Sequence, residues 1–162
     1  MTDLLTHALA GYVFATAAVW ATPLSRRHVP FAVFGAVLPD MAKVNLLFGS
    51  TRSTVWGVEV GWLALQTLGA ALLASGVVAL AVTRSERRPV FASLVGGAVV
   101  HVTLDYFVVR AGGVSPPYLY PFTWAEFPSV GLYLSSDMWP AAVALAVASV
   151  VWALDRRRRS IS

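Results

Sequence analysis

Of 162 residues, 57% are hydrophobic and only 12% charged, and the mean hydropathy is +0.69; a soluble domain carries roughly 25% charged residues, so a water-soluble globular fold is excluded. The formal net charge of +4 does not signal nucleic acid, because the arginines fall in short clusters between apolar runs, which is a membrane-topology pattern. The chain contains no cysteine, which excludes disulfides, thiolate metal sites and cysteine nucleophiles and leaves His, Asp and Glu as the only strong metal ligands.

The chain opens with "MTDLLTHALAG". It carries an Asp and no Lys or Arg, unlike the positive n-region of a signal peptide, so the first apolar run, 4–22, is expected to persist as a helix. A spanning helix needs roughly 20 apolar residues. Further candidates are 29–48, 58–82, 89–109 and 136–154. The second is the weakest, since it holds Pro39, Asp40, Lys43 and Asn45; a re-entrant segment is its alternative reading. Five spans put Arg26, Arg27, Arg84, Arg87, Arg88 and Arg156 to Arg159 on one side, against Lys43, Arg52 and Arg110 on the other. The positive-inside rule favours that split. The expected fold is therefore all-α, a polytopic bundle of about five transmembrane helices in the cell membrane. It forms a single domain, 1–162, with its N-terminus outside and its C-terminus cytoplasmic. The tail 155–162, "DRRRRSIS", reads as a stop-transfer flank in preference to a dedicated anchor for anionic lipid. The connection 110–135 is rich in Pro, Gly and aromatic residues and is expected outside. There Tyr118, Tyr120, Phe122, Trp124 and Phe127 suit the lipid–water boundary, and a cap over a site is the sharper reading.

Helix direction then sets depth. His7 lies about one turn in from the outer end of the first helix, and Asp40 falls in the outer half of the second. His101 and Asp105 occupy the outer half of the fourth. Four residues apart is about one helical turn, so His101 and Asp105 share a face. Gly97 extends that stripe, and Gly11 follows His7 at the same spacing; small residues beside polar ones let helices approach and bond across. Pro39 offers no N–H, so the carbonyl of Gly35 loses its usual donor, and Asp40 is expected at a kink. An ionised carboxylate costs roughly 2.5–3.5 kcal/mol at the centre of a membrane helix, so the cluster needs a compensating partner. Two imidazoles and two carboxylates form a ligand set that Zn²⁺, Mn²⁺ or Fe²⁺ accepts. A hydrogen-bonded lock between helices and an ion or proton pathway are the alternatives.

Lesser candidates surround the cluster. Glu59, expected to begin the third helix, reads as a dipole-favoured helix-start carboxylate, with fifth ligand or general base as its functional reading. Asp137 after Ser135 and Ser136 reads as part of a helix cap. Arg52 and Arg110 suit interfacial anchoring or phosphate binding. His28, in a cytoplasmic loop, receives no chemistry.

The segments "THALAG" (6–11), "GAVLPD" (35–40), "GGAVVHVTLD" (96–105) and "YPF" (120–122) resemble, in order and spacing, the YdjM-like family of membrane-bound metal-dependent hydrolases. The resemblance implies a multi-helix membrane protein with a metal site on His7, Asp40, His101 and Asp105. It also implies a distant similarity to zinc-dependent phospholipase C and P1-type nucleases. Two positions depart from the family's pattern. Ala42 stands where a second acidic residue follows Leu-Pro-Asp, and "GSTRSTVWG" keeps Arg52 but has no His. What remains suits one metal, or a member without catalysis. The expected function is a zinc-dependent hydrolase of a lipid-like phosphoester or ester at the outer face, with Asp40 or Glu59 as general base and membrane lipid as its surroundings. A non-catalytic scaffold or a small ion or proton carrier is the alternative.

Overall fold

A computed structural model describes residues 4–41, 52–56, 58–61, 66–110 and 112–161. Among the described residues, five α-helices make the body: α1 (Leu4–Ala21), α2 (Val29–Val37), α3 (Leu68–Leu80), α4 (Arg87–Tyr106) and α5 (Trp139–Ile161). A 3-10 turn, Arg26–His28, leads into α2. Two short antiparallel strands, β1 (Arg52–Val55) and β2 (Val58–Gly61), form a hairpin before α3. Pro30, Pro89 and Pro140 each sit in the first turn of a helix, where a missing N–H breaks no helical bond. Thr67 caps α3, its hydroxyl accepting from the Ala70 N–H at 3.3 Å.

Among the described residues, three helices are long and apolar enough to cross a membrane: Leu4–Ala21, Arg87–Tyr106 and Trp139–Ser160. Within the described part of the expected second span, 29–48, the α-helix covers Val29–Val37. At 1.5 Å per residue α2 covers about 14 Å, roughly half of a bilayer core. Pro39 is the local reason: Leu38–Met41 continue as a 3-10 turn, and residues 42–51 lie outside the described residues. The expected third span, 58–82, is also corrected. Its first residues, "VEVG", pair as β2 with β1, and Glu59 lies opposite Thr54. Glu59 therefore stands on a strand and caps no helix. The β-branched residues of "RSTV" and "VEVG" favour that pairing, and Trp56 turns the hairpin at φ 49°.

α2 lies between α1 and α4, while α3 packs on α4 and α5 on α1. The contact surfaces are made of small residues: Ala32, Ala36, Ala98 and Ala15 are buried, with Leu94 and Val90 between them. A Cβ on Gly35 would overlap the Leu94 carbonyl, and one on Gly97 would overlap the Ala32 carbonyl. In a lipid environment such close backbone approach replaces the hydrophobic drive between helices. Large apolar side chains point outward instead, including Leu73, Val77, Val150 and Trp152.

The segment between α4 and α5 is folded back against the bundle. Val108 bridges Tyr133, and Val114 bridges Pro128. The Tyr118 and Tyr120 carbonyls accept from the N–H groups of Leu68 and Gly69, both at 2.7 Å, and so satisfy the open start of α3. Phe122 and Trp124 are exposed, as membrane-boundary aromatics would be, whereas Tyr118 is buried. Asp137 does not cap α5, which begins at Trp139; its carboxylate accepts from the Leu134 N–H at 2.8 Å and closes a turn.

Candidate metal centre

α1, α2 and α4 bring His7, Asp40, His101 and Asp105 together, all of them buried. The two imidazoles stack with centroids 4.0 Å apart. His7 Nε2 lies 3.4 Å from Asp105 Oδ1, and His101 Nε2 lies 3.7 Å from Asp105 Oδ2. Asp40 approaches His7 Nδ1 at 3.9 Å and His101 Nε2 at 3.7 Å. Neither ring nitrogen of His7 makes a hydrogen bond, nor does His101 Nε2. Buried imidazole nitrogens left this way are expensive.

The spacing explains itself if an ion is placed at the centre. Zn–N and Zn–O bonds of about 2.0–2.1 Å in a tetrahedron put neighbouring ligand atoms roughly 3.3–3.5 Å apart. The observed separations lie at or slightly beyond that edge and are longer than ordinary hydrogen bonds. His7, His101 and Asp105 form a group in which one ligand atom from each lies within 4.8 Å of the others. Asp40 contacts both imidazoles from outside that group of three. These three residues are a donor set that would suit a divalent metal ion.

The local fold dictates this arrangement. In a 3-10 turn the Ala36 carbonyl would accept from residue 39, but Pro39 has no N–H to give. His101 Nδ1 fills the gap, donating to the Ala36 carbonyl at 2.8 Å. That bond fixes the tautomer and leaves Nε2, with its lone pair, facing the carboxylates. Gly97, one turn before His101, is what lets α4 come close enough. Asp105 is oriented from the other side: Arg110 Nη2 donates to its Oδ2 at 3.2 Å, and the Tyr118 hydroxyl approaches the same oxygen at 3.4 Å. Arg110 Nη2 also donates to the Tyr118 hydroxyl at 2.5 Å. Burial first, and the Asp105 charge second, raise the Tyr118 pKa, so the phenol keeps its proton as a donor.

A family model described as YdjM inner membrane protein matches residues 1–161. The chain belongs to that family. No curated protein and no solved structure matches it. Membership in the YdjM inner membrane protein family, together with the apolar helices, establishes a multi-pass membrane protein.

Of the residues singled out in this YdjM-family sequence, His7, Asp40, His101 and Asp105 meet. Arg110, first read as an anchor or phosphate ligand, holds Asp105 instead, and Tyr118 joins it from a segment read as interfacial. Its position five residues after Asp105, about one and a half helical turns on, was the available signal for Arg110; Tyr118 had none. The side chains of Glu59 and Arg52, and Lys43 entirely, lie outside the described residues. His28 is far from the cluster, as expected. It is buried, with Nε2 2.8 Å from Glu86 Oε2, and Arg27 pairs with the same carboxylate at 2.8 Å. A third buried carboxylate, Asp155 in the basic tail, binds Trp20, Arg26 and Arg159 at the other end of the bundle.

Proposed function

We propose that the chain is a membrane-embedded, metal-dependent hydrolase that cleaves a phosphoester or ester of a lipid-like substrate at the outer face of the membrane. The observation that carries this reading is the buried His7–His101–Asp105 group, in which a ring nitrogen of each imidazole and a carboxylate oxygen converge. Zn²⁺ suits two imidazoles and a carboxylate with one open position; Mn²⁺ and Fe²⁺ are accepted by the same donors. When bound, such an ion supplies Lewis acidity and a water whose pKa falls toward about 7.

The chain's own residues do the rest. His101, held by the Ala36 carbonyl, and Asp105, held by Arg110 and Tyr118, keep their ligand atoms in place. Asp40 is assigned as general base because it faces both imidazoles yet stands outside the converging three; it takes a proton from the attacking water. Glu59, on β2, is the second candidate for that role. Arg110 brings a positive charge beside the site, where an oxygen of a phosphoryl group develops negative charge.

An apolar groove supports a lipid-like substrate. It has a volume of about 390 Å³ between α1, α4 and α5 and includes Thr6, Phe14, Leu104, Phe107 and Val143. Thr6 and Leu104 are the chain neighbours of His7 and Asp105, so the groove runs along helix faces next to those that carry the cluster and offers an acyl chain a surface to lie on.

Purification without chelator, metal analysis and turnover of a fluorogenic phospholipid test the reading together. Wild-type protein carries a stoichiometric transition metal and hydrolyses the probe, and His101→Ala loses both. Unchanged metal content in His101→Ala overturns the assignment. Wild-type protein without metal leaves the locked polar scaffold as the explanation.

A further inference from the structure

At the opposite end of the bundle, Asp155 of α5 is buried, with its side chain 3% exposed. Trp20 Nε1 donates to its Oδ1 at 3.0 Å and Arg26 Nη2 to the same oxygen at 2.9 Å. Arg159 Nε donates to Oδ2 at 2.9 Å. One carboxylate thus organises two guanidiniums. Both arginines keep about half their side chains exposed, 45% for Arg26 and 54% for Arg159. Arg158 lies over the Trp20 ring at 4.5 Å and adds to the positive excess.

The same two arginines and Asp155 line a cavity of about 270 Å³, whose remaining wall is Tyr12, Thr16 and Val19 of α1 with Val29 and Pro30 of α2. Tyr12 to Val19 spans about 10 Å along α1. The cavity therefore has a cationic end at the helix termini and a mostly apolar trough running from it toward the membrane interior. That polarity matches an amphiphile with an anionic head and a hydrocarbon chain. A guanidinium presents its N–H donors in a plane suited to phosphate oxygens, and Asp155 holds two of them in place before any ligand arrives.

We propose that this cavity is a specific site for one anionic phospholipid, its phosphate on Arg26 and Arg159 and the start of its chain against Thr16 and Pro30. The site is separate from the metal centre, and its ligand bridges α5 to the α1–α2 junction.

The test uses delipidated full-length protein with dioleoyl phosphatidylglycerol, dioleoyl phosphatidylcholine or sodium phosphate as separate probes, read by native mass spectrometry and thermal unfolding. Phosphatidylglycerol is expected to bind one per chain and raise Tm, with phosphatidylcholine and phosphate ineffective. Arg26→Gln and Arg159→Gln are each expected to weaken that binding about fivefold. Arg157→Gln, which removes an equal charge from an exposed position, leaves it unchanged. The proposal is overturned if both lipids bind alike, if Arg157→Gln weakens binding as much as the other two, or if phosphate alone stabilises as well as the lipid. The wild-type comparison of probes decides the matter even where a variant fails to fold.

Discussion

Gly97→Ala tests the link between the helix seam and the site. A Cβ at Gly97 would lie 2.6 Å from the Ala36 nitrogen and would overlap the Ala32 carbonyl, whereas ordinary contact begins at 3.4 Å. Both obstacles are backbone of α2, which has no rotamer to change. The seam must open by at least about 0.8 Å, the difference between those two distances, because a packed interior yields little. The Ala36 carbonyl, now 2.8 Å from His101 Nδ1, moves to about 3.6 Å, which is no longer a hydrogen bond. Overpacking of this kind costs about 1–3 kcal/mol, and loss of the bond that orients a ligand costs about 10–100-fold in metal affinity. Unfolding in mixed micelles reads the first effect, and competition of the purified protein against a metallochromic chelator reads the second. Gly97→Ala protein with wild-type stability and wild-type metal affinity would refute both the seam and its role in aiming His101.

Other outcomes follow from the same geometry. Tyr118→Phe removes the hydroxyl beside Asp105 Oδ2 and is expected to weaken metal binding about tenfold, measured by the same competition, with little change in helicity. Asp40→Asn keeps metal content and abolishes turnover if Asp40 is the base; loss of metal instead makes it a fourth ligand. Glu59→Gln, judged by the same pair of measurements, lowers turnover only if the hairpin supplies the base. The chain has no cysteine, so single Glu126→Cys and Ser160→Cys variants report topology cleanly. An impermeant maleimide added to intact cells is expected to label the first and spare the second.

The four-residue cluster was legible because its signal is local and its cost is high. Polar residues inside apolar runs are conspicuous, and their helical spacing fixes a face. Gly97 and Gly11 were legible for the same reason, as small residues one turn from a polar one. What was illegible depends on contacts distant in sequence. Tyr118 reaches Asp105 only because its segment folds back to satisfy the start of α3, and nothing in "SPPYLYPF" announces that. Asp155 was hidden by its neighbours: among four arginines it reads as one more solvated charge, and only the approach of Trp20 and Arg26 shows it buried. The start of the third span was missed, and the shortness of α2 with it, because hydropathy sums over a window. It does not register that Pro39 ends α2 or that "RSTV" and "VEVG" have a strand partner available.

The packing between the two polar clusters bears on the carrier alternative. One direct path for an ion or proton from the His7–Asp105 group to the Asp155 group would pass along the α1–α2–α4 seam. That seam is where Gly35 and Gly97 admit no methyl group and where Ala32, Ala36, Leu94 and Ala98 are essentially inaccessible. A water needs about 10–15 Å³ of probe space and two to four polar partners; a seam that excludes a methyl group offers neither. A carrier taking that path would have to part α2 from α4, and doing so breaks the Ala36–His101 bond that positions the cluster it is meant to serve. The polar groups are thus organised as two separate ends of a closed bundle. That organisation suits a site reached from its own side of the membrane better than a route through it.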